Sequence, residues 1–234
     1  MVSAQEYYHI ILTAFSAQEN TEIASQQSRY MKNNFGYFGL KAPVWQGTLR
    51  QIIAENGILR GAALSTFIDT CFADPHREMQ YAAIEMAQRM VKKEAIDFIE
   101  VTERMITTKS WWDSVDWVAA TIAGAHFARF PELIPSVTAR WMHSENMWLQ
   151  RSAILFQLKY KQKTDLDLLG KYILQVGESR EFFLRKAAGW ALRTVSAFNP
   201  AFVIDFVEHN PQLSGLTKKE ALRNISNQPN PKTA

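Results

Sequence analysis

A single cysteine, Cys71, occurs in 234 residues. That excludes an intrachain disulfide framework and a thiolate zinc cluster, and Cys71 reads as a small apolar core residue in a reducing compartment. Long apolar runs are missing as well: nowhere do about twenty apolar residues follow one another, as a bilayer-spanning helix requires. The opening MVSAQEYYHIILTAF has neither a basic stretch nor an apolar core of signal-peptide length, so the reading is a cytoplasmic protein without membrane attachment. The usual catalytic signatures are also absent. The five histidines show no HExxH spacing, and there is no GxSxG elbow, GxxxxGK[ST] phosphate loop or GxGxxG. Metal, serine-triad and nucleotide-loop chemistry are thereby disfavoured, and no metal or cofactor is expected. Neither charge sign dominates: 26 Lys and Arg face 23 Asp and Glu, a formal net charge of +3. Such a balance permits a local cationic surface for nucleic acid without demanding one.

Only ten glycines and eight prolines are present, and they fall between long segments whose apolar residues recur at three- and four-residue spacing. This is the pattern of successive amphipathic helices, and no alternating strand pattern competes with it. The chain reads as all-α. Ser3 with Glu6, and Thr217 with Glu220, have capping-box spacing. Asp165 and Asp167 in TDLDLL suit a helix start, and Lys159, Lys161 and Lys163 in KYKQK suit a charged helix end. Aligning EMQYAAIEMA, WWDSVDWVAA, WLQRSAILFQL and FFLRKAAGWAL places Gln80, Ser114, Arg151 and Arg185 in register. Their separations are 34 (80 to 114), 37 (114 to 151) and 34 (151 to 185) residues. That period suits a helix-pair solenoid, whose repeats bury their apolar faces on their neighbours and leave a concave surface. We expect one repeat domain over residues 1–225 and a flexible tail over 226–234.

The stretch KSWWDSVDWVA crowds Trp111, Trp112 and Trp117 together with Asp113 and Asp116. On a wheel of about 100° per residue, Trp111, Val115, Val118 and Ile122 form one apolar stripe, and Trp112, Asp116, Ala119 and Ala123 line up roughly 90° away. The repeat register sharpens this. Two residues beyond each anchor the other repeats carry Ala82, Ala153 and Ala187, but this one carries Asp116. By residue type alone, Trp112 at a helix seam and Asp116 bonded to a neighbouring helix end would account for the pair. Against that account stand Arg151 after MWLQ, Arg185 and Lys186 after EFFL, and Arg193 after GWAL. Arginines interleaved with indoles on successive repeats suit a surface that holds phosphates and packs on sugars or bases. Asp113 reads as the structural member of the acidic pair.

Six blocks, YMKNNFGYFGLKAP, REMQYAAIEM, KSWWDSVDWVA, WLQRSAILFQLKYKQKTD, EFFLRKAAGWALR and LSGLTKKEALR, resemble the AlkD-type DNA alkylation repair glycosylases. These are HEAT-like helical repeat proteins, and the likeness runs over about residues 5 to 225. The resemblance implies an all-α solenoid with a concave DNA-binding face. It also implies hydrolytic removal of positively charged N3- and N7-alkylated purines from duplex DNA, working at the backbone of a distorted duplex without enclosing the base. By motif, the catalytic carboxylate falls on Asp116, the lesion-facing indoles on Trp112 and Trp190, and the backbone-gripping arginine on Arg151. Arg193 takes the place of a further basic residue, and Tyr30 and Lys41 fall in the N-terminal segment near the DNA. The implied partner is double-stranded DNA carrying alkylated bases, bound by a monomer. Where relatives often have a basic pair after LKAP, this chain has Val44, Trp45 and Gln46. No lysine lies in a recognised Schiff-base motif, so a monofunctional enzyme is expected. The competing reading is a non-catalytic HEAT-like scaffold that binds DNA or protein. Trp112, Asp116, Arg151 and Trp190 together discriminate, since a scaffold has no need of the full set.

Overall fold

The computed structural model describes residues 2–225, and the expected tail over 226–234 lies outside the described residues. Two compact units divide the chain, Met1–Ser110 and Trp111–Ala234. Among the described residues there is no strand, and an isolated bridge joins Gly36 and His76. No helix there is long and apolar enough to cross a membrane.

The first unit holds α1 (Ala4–Ser16), α2 (Thr21–Tyr30), α3 (Ala42–Asn56), α4 (Gly61–Ala73), α5 (Arg77–Met90) and α6 (Phe98–Thr107). The capping box that starts α1 is formed: Glu6 N–H donates to Ser3 Oγ at 3.2 Å, and Ser3 N–H donates to the Glu6 carboxylate at 2.8 Å. Tyr7, Ile11 and Phe15 are buried at the helical spacing read from the sequence, and α1 packs on α4 with Tyr7 edge-on to Phe67. Cys71 is buried in α4, as its lone occurrence suggested. Trp45 is buried beside Tyr81, so this position serves the core. One buried charge organises the loop into α3. The Glu78 carboxylate accepts the backbone N–H groups of Phe38, Gly39 and Leu40 at 3.0–3.1 Å. Burial pushes its carboxyl above the ordinary value, and the amides oppose that rise.

The second unit begins with a composite helix. It comprises α7 (Trp112–Trp117), a π-helical turn (Val118–Ala123) and α8 (Gly124–Arg129). There follow α9 (Ile134–Met142), α10 (Met147–Leu155), α11 (Leu166–Gln175), α12 (Phe182–Ser196), α13 (Pro200–His209) and α14 (Gly215–Leu222). Asn146, Asp165 and Asn199 cap α10, α11 and α13 through their side-chain oxygens, each satisfying an amide that a helix start leaves unpaired. Asp165 therefore does what TDLDLL suggested. Lys161 and Lys163 form a short 3-10 turn beyond α10.

Two local expectations are corrected. Thr217 and Glu220 form no capping box; Ser214 is the cap of α14, its Oγ accepting the Thr217 N–H at 3.1 Å. The helix starts one turn earlier than that box requires, and Glu220 is drawn away to cations on α12. Trp111 does not belong to the helical stripe. It sits in extended backbone ahead of α7 and joins a ring cluster, 5.9 Å from Trp148 and 5.2 Å from Phe183 between centroids. Val115, Val118 and Ile122 do form the buried stripe.

The repeat anchors fall on α5, α7, α10 and α12, and Ala82, Ala153 and Ala187 are buried where each helix meets its neighbours. Gly189 permits the tight crossing of α12 with α14. A Cβ there would lie 2.5 Å from the Glu220 Cβ and 2.9 Å from the Thr217 carbonyl oxygen.

Candidate active site

The repeat that breaks the alanine pattern opens onto a cleft of about 350 Å³, at the lower end of the volumes usual for small-molecule sites. Trp112 and Asp116 line it from α7, and Arg151 from α10. Phe182, Phe183, Lys186, Trp190 and Arg193 line it from α12. Trp112 and Asp116 stand four residues apart, one helical turn, and so share a face. Lys186, Trp190 and Arg193 repeat that logic on α12, at spacings of four and three.

Asp116 is held in place by Arg151. Nε donates to one carboxylate oxygen at 2.7 Å and Nη2 to the other at 2.8 Å, a bidentate fork that fixes the carboxylate plane. Nη1 of the same guanidinium donates to the Phe183 carbonyl. The Phe183 ring is itself packed with Trp111 and Trp148. Arg151 is almost wholly enclosed, its side chain 4% exposed against 15% for Asp116. The side chain that an isolated reading would leave in solvent is thus committed to protein acceptors.

Burial pushes the Asp116 carboxyl above the ordinary aspartate value; the hydrogen bonds and charge of Arg151 oppose that, and Asp113 adds to it. Asp113 lies in the first turn of α7, where the helix dipole favours a carboxylate.

On α14, Glu220 accepts from Lys186 Nζ at 2.6 Å and from Arg193 Nη1 at 2.7 Å. The Lys186 hydrogen bond, reinforced by surrounding positive charge, holds its carboxyl below the ordinary value.

Trp112, Asp116, Arg151, Trp190 and Arg193 are thus brought to one cleft. Tyr30 and Lys41 are not among its lining; both lie in the first unit, Tyr30 exposed at the end of α2 and Lys41 at the start of α3. The sequence reading missed Phe182 and Phe183 as cleft walls. Glu220 was read as a cap because the spacing TKKE is the same for a capping box and for a residue facing α12. Among the described residues no group of three or more His, Cys, Asp or Glu is placed to hold a metal ion.

A family model described as "DNA alkylation repair enzyme" matches residues 11–225. A solved structure, described as a predicted DNA alkylation repair enzyme from Enterococcus faecalis, is similar with a TM-score of 0.82 and 32% identity. The match covers 90% of this chain and 98% of that one. No curated protein sequence matches the chain.

Proposed function

The chain belongs to the DNA alkylation repair enzyme family, and on that premise we propose that it is a monofunctional DNA glycosylase for positively charged N3- and N7-alkylated purines in duplex DNA. The observation that carries this reading is a largely enclosed carboxylate, Asp116, fixed by an arginine in a cleft walled by Trp112 and Trp190.

An alkylated purine with a ring positive charge is already a good leaving group. When the C1′–N bond breaks, the electron pair goes to the base and neutralises it, and the positive charge passes to the deoxyribose. Water then adds at C1′ and gives up a proton, leaving an abasic site in an uncut strand. The barrier lies in the cationic sugar. A carboxylate about 4 Å from it contributes roughly 4 kcal/mol at an effective dielectric of 20, on the order of a thousandfold in rate. That figure is an upper one, because the cationic lesion is attracted to the same carboxylate before reaction. An intact neutral base also needs protonation on leaving, and the cleft lining offers only cations and the Arg151-paired Asp116 for that task. Neutral lesions are therefore poor substrates.

Each remaining residue has a physical task in this scheme. Trp112 and Trp190 supply cation-π attraction and sugar packing, about 0.5–2 kcal/mol each. Arg151 keeps Asp116 charged and aimed. Lys186 and Arg193 meet backbone phosphates, and Tyr30 and Lys41 are assigned as DNA contacts of the first unit by itself. In the alternative reading, a scaffold without chemistry, the Asp116–Arg151 pair is simply a satisfied ion pair. Asp116→Asn separates the two. Incubated with methylated duplex, the parent releases 7-methylguanine and 3-methyladenine as free bases on chromatography, whereas the variant binds duplex and releases almost none. Parental release by the variant would sink the electrostatic mechanism, and no release by the parent would leave the scaffold.

A further inference from the structure

Lys186 and Arg193 each line the cleft, and each spends one donor on the same carboxylate, which comes from a different helix. Glu220 is nearly buried, whereas the two cations are 39% and 23% exposed at their side chains. An ammonium has three donors and a guanidinium five, so donors remain on both. Gly189 lies between the two cations along α12, and the absence of its side chain is what lets the Glu220 stem approach.

We propose that Glu220 is a positioning residue that holds Lys186 and Arg193 as a paired clamp for the backbone phosphates beside the lesion. The assignment rests on the glycosylase reading above. Glu220 opposes raw attraction, since it takes up charge and donors that Lys186 and Arg193 would otherwise offer to phosphate. What it supplies is placement: two long cationic side chains are fixed before DNA arrives, and misplacement near reacting atoms is costly.

The test is Glu220→Gln, which keeps shape, alone and in a Lys186→Met/Arg193→Met background. Expected is release of 7-methylguanine at saturating duplex roughly tenfold to a hundredfold slower than the parent. Undamaged duplex is bound about threefold tighter, because Lys186 and Arg193 no longer spend a donor and part of their charge on Glu220. Both changes disappear in the background that lacks the cations. Parental release by Glu220→Gln, or an equal loss without the cations, overturns the assignment. If the parent itself releases no base, the glycosylase reading fails separately and binding decides: tighter binding that depends on the two cations upholds the clamp, and unchanged affinity overturns it. Should Glu220→Gln fail to fold, Glu220→Asp retains the charge but withdraws it by one methylene. Slower release then upholds the clamp, and a parental rate overturns it.

Discussion

Glu78 in the first unit and Asp116 in the second are both carboxylates pushed upward by burial, yet they are neutralised in different ways. Glu78 takes three backbone amides from one loop and is fully enclosed. Asp116 takes a forked arginine and faces a cleft walled by indoles. Backbone amides are fixed dipoles, so Glu78 stitches a loop to a helix. A guanidinium is a full charge on a side chain, and it leaves part of the carboxylate turned toward whatever enters. A buried acid becomes a candidate for chemistry through its opening and its counter-charge, and burial alone does not supply either.

The largest expected break in this comparison is Asp116→Asn, which lowers release of cationic alkylpurines by up to about a thousandfold. Glu78→Gln, by contrast, leaves release per folded molecule unchanged. Next comes Arg151→Met, which strands Asp116 without its partner and lowers unfolding stability by about 3–5 kcal/mol in denaturant titration. It also removes what holds the Asp116 carboxyl down, so the acidic limb of the kcat/KM profile moves further up.

That limb carries a sign that can be checked in the parent. In the proposed mechanism Asp116 acts ionised, and its carboxyl is raised, so release is expected to fall with acidity above the ordinary aspartate range. Stability runs the other way: the raised group's contribution is full below its unfolded value and is lost as pH rises through its folded value. A limb at or below the ordinary range would contradict the role. Smaller is Glu78→Gln itself, expected to cost about 1–3 kcal/mol through the loop amides it no longer satisfies with charge. Trp190→Leu should be of similar or lesser size, lowering kcat/KM for cationic lesions by about 0.5–2 kcal/mol with no shift in the acidic limb. Equal losses on cationic and neutral substrates would rule out cation-π attraction.

The all-helical fold was legible because apolar spacing is a local property that tertiary packing preserved from α1 to α12. Asp116 was legible because the register made it an exception among buried alanines. The bond between Asp116 and Arg151 was not, since it joins residues on separate helices whose rotation no single helical wheel specifies. Glu220 was misread for the same reason, a local motif and a long-range ion pair having the same spacing in sequence. The π-helical turn after Trp117 left no mark in VAATIA, where nearly every residue is apolar or small and any helical phase buries it.

That turn has a consequence for how the repeat tolerates change. A π turn holds one residue more than the α-helix around it, so its two flanks are rotated relative to one another by about 100° from an uninterrupted helix. Upstream, the chain aims Asp116 at the cleft. Downstream, it presses Gly124 against the Phe156 carbonyl, where a Cβ would sit 2.4 Å from the oxygen. Removing any one residue from 118–123 would regularise the helix and set these two demands against each other. The extra residue acts as a swivel that lets one helix be cut to fit its core and its cleft separately.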